Sequence, residues 1–213
     1  MQHPAKALLF DNDGVLSDSI ESVDASWGEW ASIYAPDFHI SYEHHGIRAE
    51  ELVAANVKPE FYEEALKKII ELEIAMTYLT KAMPGAIEIT TSLPAGTWTI
   101  VTSALPELAY ARLEKAGIPI PKELVTSSDV SKGKPDPEPY LVGARKLGVA
   151  IENCVVFEDA PNGVLSGKRS GAGLVVGVGE EALHSEADIV IKSLEGISFD
   201  GKVLTIDSES RLR

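Results

Sequence analysis

The stretch KALLFDNDGVLSDS (residues 6–19) decides how the chain is read. An apolar run, Ala7 to Phe10, stops abruptly at Asp11, Asn12, Asp13 and Gly14, with Asp18 shortly after. In extended backbone, residues at i and i+2 point to the same side, so Asp11 and Asp13 share a face. Like charges held that close raise each other's cost of ionising. A cation, a shared proton or bulk water must compensate.

Four more runs have the same look: WTIVT (98–102), CVVF (154–157), LVVGV (174–178) and the weaker DIVI (188–191). Each is almost continuously apolar, the pattern of a parallel strand buried on both faces. Between them lie helical patterns. Residues 104–117 and 160–171 each close on a glycine, and 137–148 opens on proline and closes on Gly148. Strands alternating with helices predict an α/β fold, a Rossmann-like doubly wound parallel sheet.

Residues 19–84 break that rhythm. Residues 19–35 and 59–83 read as amphipathic helices joined by a polar segment, Ser41 to Lys58, and Pro84-Gly85 marks the return. The expected organisation is a core of residues 1–18 and 85–213 with a helical insertion at 19–84. The C-terminus reads as a hairpin around Asp200-Gly201, followed by a polar tail expected to fray.

The bulk composition narrows the classes. The 213 residues are 45% hydrophobic and 24% charged, an ordinary globular balance. A net charge of -14 argues against nucleic acid or an anionic membrane as partner, since both need basic surface. A small anionic substrate is compatible, because a bound metal and a few local cations outweigh the global field. The lone Cys154 excludes an internal disulfide and fits a reducing cytoplasm, where it reads as a small buried apolar group. No apolar run approaches the ~20 residues of a membrane span. Self-association is expected to go no further than a weak dimer.

Ligands of open α/β sheets bind beyond the carboxyl ends of the strands. Those ends carry Asp11 and Asp13, then Thr102 and Ser103, then Glu158 and Asp159, and the loop SKGKPDPEP adds Lys134. The all-oxygen pair Asp11 and Asp159 suits Mg²⁺. The Thr102 hydroxyl and Lys134 ammonium are donors suited to a phosphoryl group. A carboxylate beside a metal-held phosphate can attack it, and a second carboxylate can protonate the leaving alkoxide and then deprotonate water. Each piece has a plainer reading. Asp-Asn-Asp-Gly could be an Asx-rich turn, and Thr102-Ser103 or Glu158-Asp159 could open the helices that follow. A calcium loop is excluded by Gly14 at position four, Val15 at five and Ser22 at twelve.

FDNDGVLSDS, TIVTS, SKGKPDPEPY and VVFEDAPNGVLSGKRSGA resemble, in order and spacing, the four motifs of the haloacid dehalogenase superfamily. The resemblance covers essentially the whole chain, and the helical insertion matches the family's cap domain. It implies Asp11 as nucleophile and Asp13 as general acid/base. It places Mg²⁺ on Asp11, the Asp13 backbone carbonyl and Asp159, with Glu158 acting through water. Thr102, Ser103 through its backbone N–H, and Lys134 would hold phosphate. Asn12 is expected to point away and to have no consequence. The superfamily's dehalogenases lack the second Asp and need no metal, so Asp13 argues for phosphoryl transfer.

Within the superfamily the chain is most similar to small sugar- and polyol-phosphate phosphatases, which implies a small phosphorylated metabolite as substrate. HHGIRAEEL (44–52) resembles their His-Gly-x-Arg stretch, placing His45, Gly46 and Arg48 on the cap face above the phosphate. Arg48 could instead pair with Glu50 or Glu51, and Trp27 is either cap core or substrate wall. The alternative is a β-phosphoglucomutase-like phosphomutase. Such mutases carry a histidine where this chain has Val23, and a lysine where it has His45. Cap closure is expected to hinge near Leu16–Ser19 and Met83–Gly85.

Overall fold

The computed structural model describes residues 1–213. Strands β1 (Gln2–Pro4), β2 (Ala7–Phe10) and β3 (Ser17–Asp18) lead to helices α1 (Ile20–Tyr34), α2 (Ala49–Asn56) and α3 (Tyr62–Ala75). The chain returns through β4 (Lys81–Ala82) and α4 (Ala86–Ser92) to β5 (Trp98–Val101), α5 (Pro106–Ala116) and β6 (Leu124–Val125). Then come α6 (Glu138–Lys146), β7 (Cys154–Glu158), α7 (Pro161–Ser170), β8 (Leu174–Val178) and β9 (Ile189–Ile191). A hairpin, β10 (Ile197–Phe199) and β11 (Val203–Ile206), closes the sequence of elements.

Six strands form one sheet in the order β6-β5-β2-β7-β8-β9, every neighbouring pair parallel. This is the doubly wound α/β sheet read from the sequence. The unbroken apolar runs follow from coverage on both faces. Leu8 and Phe10 of β2 pack with Ala109 and Leu113 of α5, while Ala7 and Leu9 face Tyr140 of α6 and Val164 of α7. Burying each such large side chain contributes ~1.5–3 kcal/mol. The crossovers stop cleanly, with Gly117 after α5 and Gly171 after α7 in left-handed conformation.

The helical insertion has its own apolar cluster. Trp27, Trp30, Phe38, Val53, Ala65 and Ile69 interlock, and Trp30 Nε1 donates to the Ala65 carbonyl at 2.8 Å. Residues Ser41 to Lys58 are not only a polar connection. They contain α2, which buries Leu52 and Val53 and carries Glu50 and Glu51 in its first turn, where the helix dipole favours acids. The second predicted helix ends at Ala75; a single 3₁₀ turn, Thr77–Leu79, separates it from β4. Both passages between sheet and insertion run through the antiparallel pair β3–β4, which joins Ser17 to Ala82 and Asp18 to Lys81.

The C-terminal residues do not fray. Leu212 N donates to Val190 O at 2.8 Å, and Val190 N donates to Arg213 O at 3.1 Å, so the tail covers the edge strand β9. The hairpin forms as expected, and β1 extends it into a three-stranded antiparallel sheet. No helix is long and apolar enough to cross a membrane.

Candidate active site

Strand β2 lies between β5 and β7, so the residues after Phe10, Val101 and Glu158 emerge side by side. Asp11 N donates to Phe157 O at 2.9 Å, which continues the ladder one residue past the strand and sets Asp11 beside Asp159. Asp11, Glu158 and Asp159 each offer an oxygen within 4.8 Å of the others.

Between them sits Lys134, its side chain fully buried. Its ammonium donates to Asp11 Oδ1 at 2.7 Å, Glu158 Oε1 at 2.6 Å and the Val101 carbonyl at 3.0 Å. All three ammonium hydrogens are therefore engaged. Glu158 is satisfied on both oxygens. Oε1 also accepts from the Tyr140 hydroxyl at 2.6 Å, and Oε2 accepts from the backbone N–H of Asp159 at 3.1 Å and of Ala160 at 3.4 Å. Asp159 differs: its Oδ1 is buried with no hydrogen-bond partner.

Two glycines make room for these acids. Gly14 has φ +82°, and a Cβ there would lie 2.0 Å from Asp159 Oδ2. A Cβ on Gly163 would lie 1.8 Å from Glu158 Oε1.

The charge balance is lopsided, with three carboxylates facing one ammonium. Burial, and then Glu158 and Asp13, push the Asp11 carboxyl up to about 8, with Lys134 opposing. Burial, then Glu158 and Asp11, raise Asp159 well above the usual carboxylate range. Burial works against the Lys134 ammonium, but Asp11 and Glu158 outweigh it and raise its pKa. An all-oxygen donor set with surplus negative charge and an unpartnered buried oxygen fits a hard divalent cation.

Asp13 stands at the edge of this cluster, partly open to the pocket. Its Oδ1 accepts from Ser19 Oγ at 2.7 Å and from the Arg112 guanidinium at 3.0 Å. Asn12 does have a consequence. It is fully buried, its Oδ1 accepts from Ser17 Oγ at 2.9 Å, and its Nδ2 lies 3.4 Å from Asp13 Oδ2. Its carbonyl also accepts from the backbone N–H groups of Leu16 and Ser17, each at 2.8 Å. A polar residue here ties the loop down from within.

Thr102 is buried, and its Oγ1 accepts from Ala104 N at 3.1 Å, which leaves its hydroxyl proton available. Ser103 Oγ donates to the Gly46 carbonyl at 2.6 Å, joining the strand end to the insertion. Tyr42 OH, which donates to the Asp159 carbonyl, and Asn162 Nδ2, 3.4 Å from the His45 carbonyl, add to that seam.

A pocket opens over Asp11, Asp13 and Asp159, with His45 and Gly46 in its wall. Burial holds His45 below its ordinary pKa, although Asp13 and Asp24 pull it upward. Trp27 belongs to both readings, buried against Trp30 and Phe38 and also lining the pocket. Arg48 makes the ion pair: its guanidinium meets Glu51 Oε1, with Nε at 2.7 Å, and lies against Gly133, beside the loop that carries Lys134.

Reading the sequence by strand ends missed Tyr140, Glu73 and Arg112. Glu73 and Arg112 left a trace. Each is a charge inside the apolar stripe of its helix, Glu73 beside Ile69 and Leu72 and Arg112 among Leu108, Ala109, Leu113 and Ala116.

Known proteins resemble this chain over most of its length. The haloacid dehalogenase-like hydrolase profile matches residues 5–171. Hexitol phosphatase A of Escherichia coli is 37% identical over 203 residues, covering 91% of this chain and 93% of the relative. Glycerol-1-phosphate phosphohydrolase 2 of Saccharomyces cerevisiae is 33% identical, covering 92% of this chain and 85% of that one. A solved hydrolase from Pseudomonas syringae superposes with a TM-score of 0.75 at 27% identity, over 89% of this chain and 94% of its own. Fold, strand-end carboxylates and these similarities together establish that the chain belongs to the haloacid dehalogenase-like hydrolases.

Proposed function

We propose that the protein is a Mg²⁺-dependent phosphatase of small phosphorylated sugars or polyols, working through an aspartyl-phosphate on Asp11. The observation that carries this is the buried group of Asp11, Glu158 and Asp159 around Lys134, with Asp13 facing the same pocket. The phosphatase class is supported by relatives named for hexitol and glycerol phosphates.

Asp11, Asp159 and the Asp13 backbone carbonyl would hold the metal. Glu158, already engaged by four donors, frames the site and reaches the metal only through water. When bound, Mg²⁺ supplies positive charge that lets an anionic phosphate approach an anionic nucleophile. A carboxylate oxygen of Asp11 attacks phosphorus. The bond to the ester oxygen breaks, and that oxygen leaves with the proton carried by Asp13. Water then gives its proton to Asp13 and displaces phosphate from Asp11, restoring the Asp11 carboxylate and the protonated Asp13. Thr102 donates its hydroxyl proton to a phosphate oxygen. Lys134 does the same by exchanging one of its present acceptors.

The insertion acts as a cap on residues 1–18 and 85–213. Closing it excludes water and strengthens the electrostatics beneath. The mutase alternative is not favoured. The pocket wall has Val23 where such mutases carry a histidine, so a second polar group for turning the sugar is missing there.

Asp11→Asn is expected to lower phosphate release from hexitol or glycerol phosphates by at least ~10³-fold, as loss of a nucleophile does. Wild-type activity in that variant would overturn the assignment. A β-sugar 1-phosphate is expected to give free sugar and inorganic phosphate; a 6-phosphate product would restore the mutase reading.

A further inference from the structure

Arg112 is 3% exposed, within the apolar stripe of α5. A guanidinium is kept in such a place only when it is paired and hydrogen-bonded. One terminal nitrogen donates to Asp13 Oδ1 at 3.0 Å and the other to Glu73 Oε1 at 3.1 Å. Glu73 is itself 6% exposed and lies on α3, in the helical insertion. One cation thus joins the proposed proton carrier to the proposed cap. Both Arg112 and Glu73 line the pocket.

The planar fork of arginine fixes direction as well as charge. Arg112 and Ser19 together occupy Asp13 Oδ1, while Oδ2 has only the distant Asn12 amide, at 3.4 Å. Oδ2 is therefore the oxygen left to carry and deliver a proton. Glu73 neutralises the guanidinium from the far side, so Arg112 reaches Asp13 as an oriented donor rather than a lone buried charge. An ion pair that only fastened helix to helix would need Glu73 and Arg112 alone; here the fork's second arm goes to Asp13.

We propose that Arg112 is a positioning residue for the general acid, clamped by Glu73 when the cap is seated, so that cap closure and proton delivery are coupled. This rests on the phosphatase reading above, with Asp13 as the acid. A substrate that seats the cap completes the fork and turns Oδ2 toward its ester oxygen. A phosphate too small to seat the cap leaves Arg112 without Glu73 and Asp13 loosely held.

The test compares an alkyl ester, glycerol 1-phosphate, with p-nitrophenyl phosphate in wild type, Arg112→Met and Glu73→Gln. The alkoxide needs a proton to leave, and p-nitrophenolate does not. The ratio kcat/KM ends at departure of the alcohol, so water activation does not enter it. With the acid misaligned, kcat/KM for the alkyl ester is expected to fall by ~10²-fold and that for the aryl ester by less than ~10-fold. The larger loss should appear in kcat rather than KM. Equal losses on both esters would identify a structural ion pair and overturn the proposal. Should Arg112→Met fail to fold, as circular dichroism would reveal, Glu73→Gln still decides, because it keeps the side chain's shape and removes only its charge. A wild type inert on both esters would instead defeat the phosphatase reading, and the relay with it.

Discussion

At the scale of single residues, the acids hold their places because neighbouring residues leave space for them. Gly163 opens α7 where Glu158 reaches back, and any Cβ would overlap the carboxylate. Gly163→Ala is expected to cost ~1–3 kcal/mol, the usual range for overpacking a filled core. Activity should fall more than stability, because displaced Glu158 releases Lys134. Urea melts beside steady-state rates check this, and an alanine variant with wild-type stability and rate would contradict it. The clustering of Asp11, Asp13 and Asp159 was legible in the sequence because polar side chains gather at strand ends, while Lys134 joined that rim from the loop SKGKPDPEP. Tyr140 was not, since an apolar helix stripe looks the same whether or not its tyrosine hydroxyl finds a carboxylate. Asn12 was misjudged for a related reason: its amide reaches back to Asp13 Oδ2 and its Oδ1 takes the Ser17 hydroxyl, contacts that the residue type alone does not announce.

At the scale of elements, what the sequence revealed depended on length and on how many faces are buried. The runs of β2, β5, β7 and β8 were readable because each is covered on both sides. Strand β6 has two residues and β1 ends on proline, so neither carries a pattern to read. Helix α2 escaped notice with eight residues and only two of them buried. The insertion depends on one small cluster, and Trp30 is its largest fully buried side chain. Trp30→Ala is expected to destabilise the chain by ~3–5 kcal/mol, through lost apolar area and the cavity left behind. The check is urea unfolding followed by far-ultraviolet circular dichroism; a loss below ~1 kcal/mol would mean that the cluster tolerates collapse.

At the scale of the whole molecule, a chain of net charge -14 concentrates buried negative charge where the strands end, and the account depends on a cation balancing it. The consequence is a linkage between pH, metal and stability. Without metal, the folded-state pKa of Asp11 is raised from 3.8 to about 8. The stability this group contributes is therefore complete below its unfolded value and lost as pH rises through its folded one. Magnesium binds the deprotonated form, so its stabilising effect should grow over the same interval. Asp11→Asn has no charge to lose, and comparison with it removes the general self-repulsion of an acidic surface.

The most direct measurement is the melting temperature of wild type and Asp11→Asn from about pH 5 to about pH 9, with chelator and with magnesium. The account predicts that wild type in chelator loses stability with rising pH more steeply than Asp11→Asn. It also predicts that magnesium restores wild type most at the alkaline end and Asp11→Asn far less. Parallel curves for the two proteins, or a magnesium effect independent of pH and of Asp11, would contradict it.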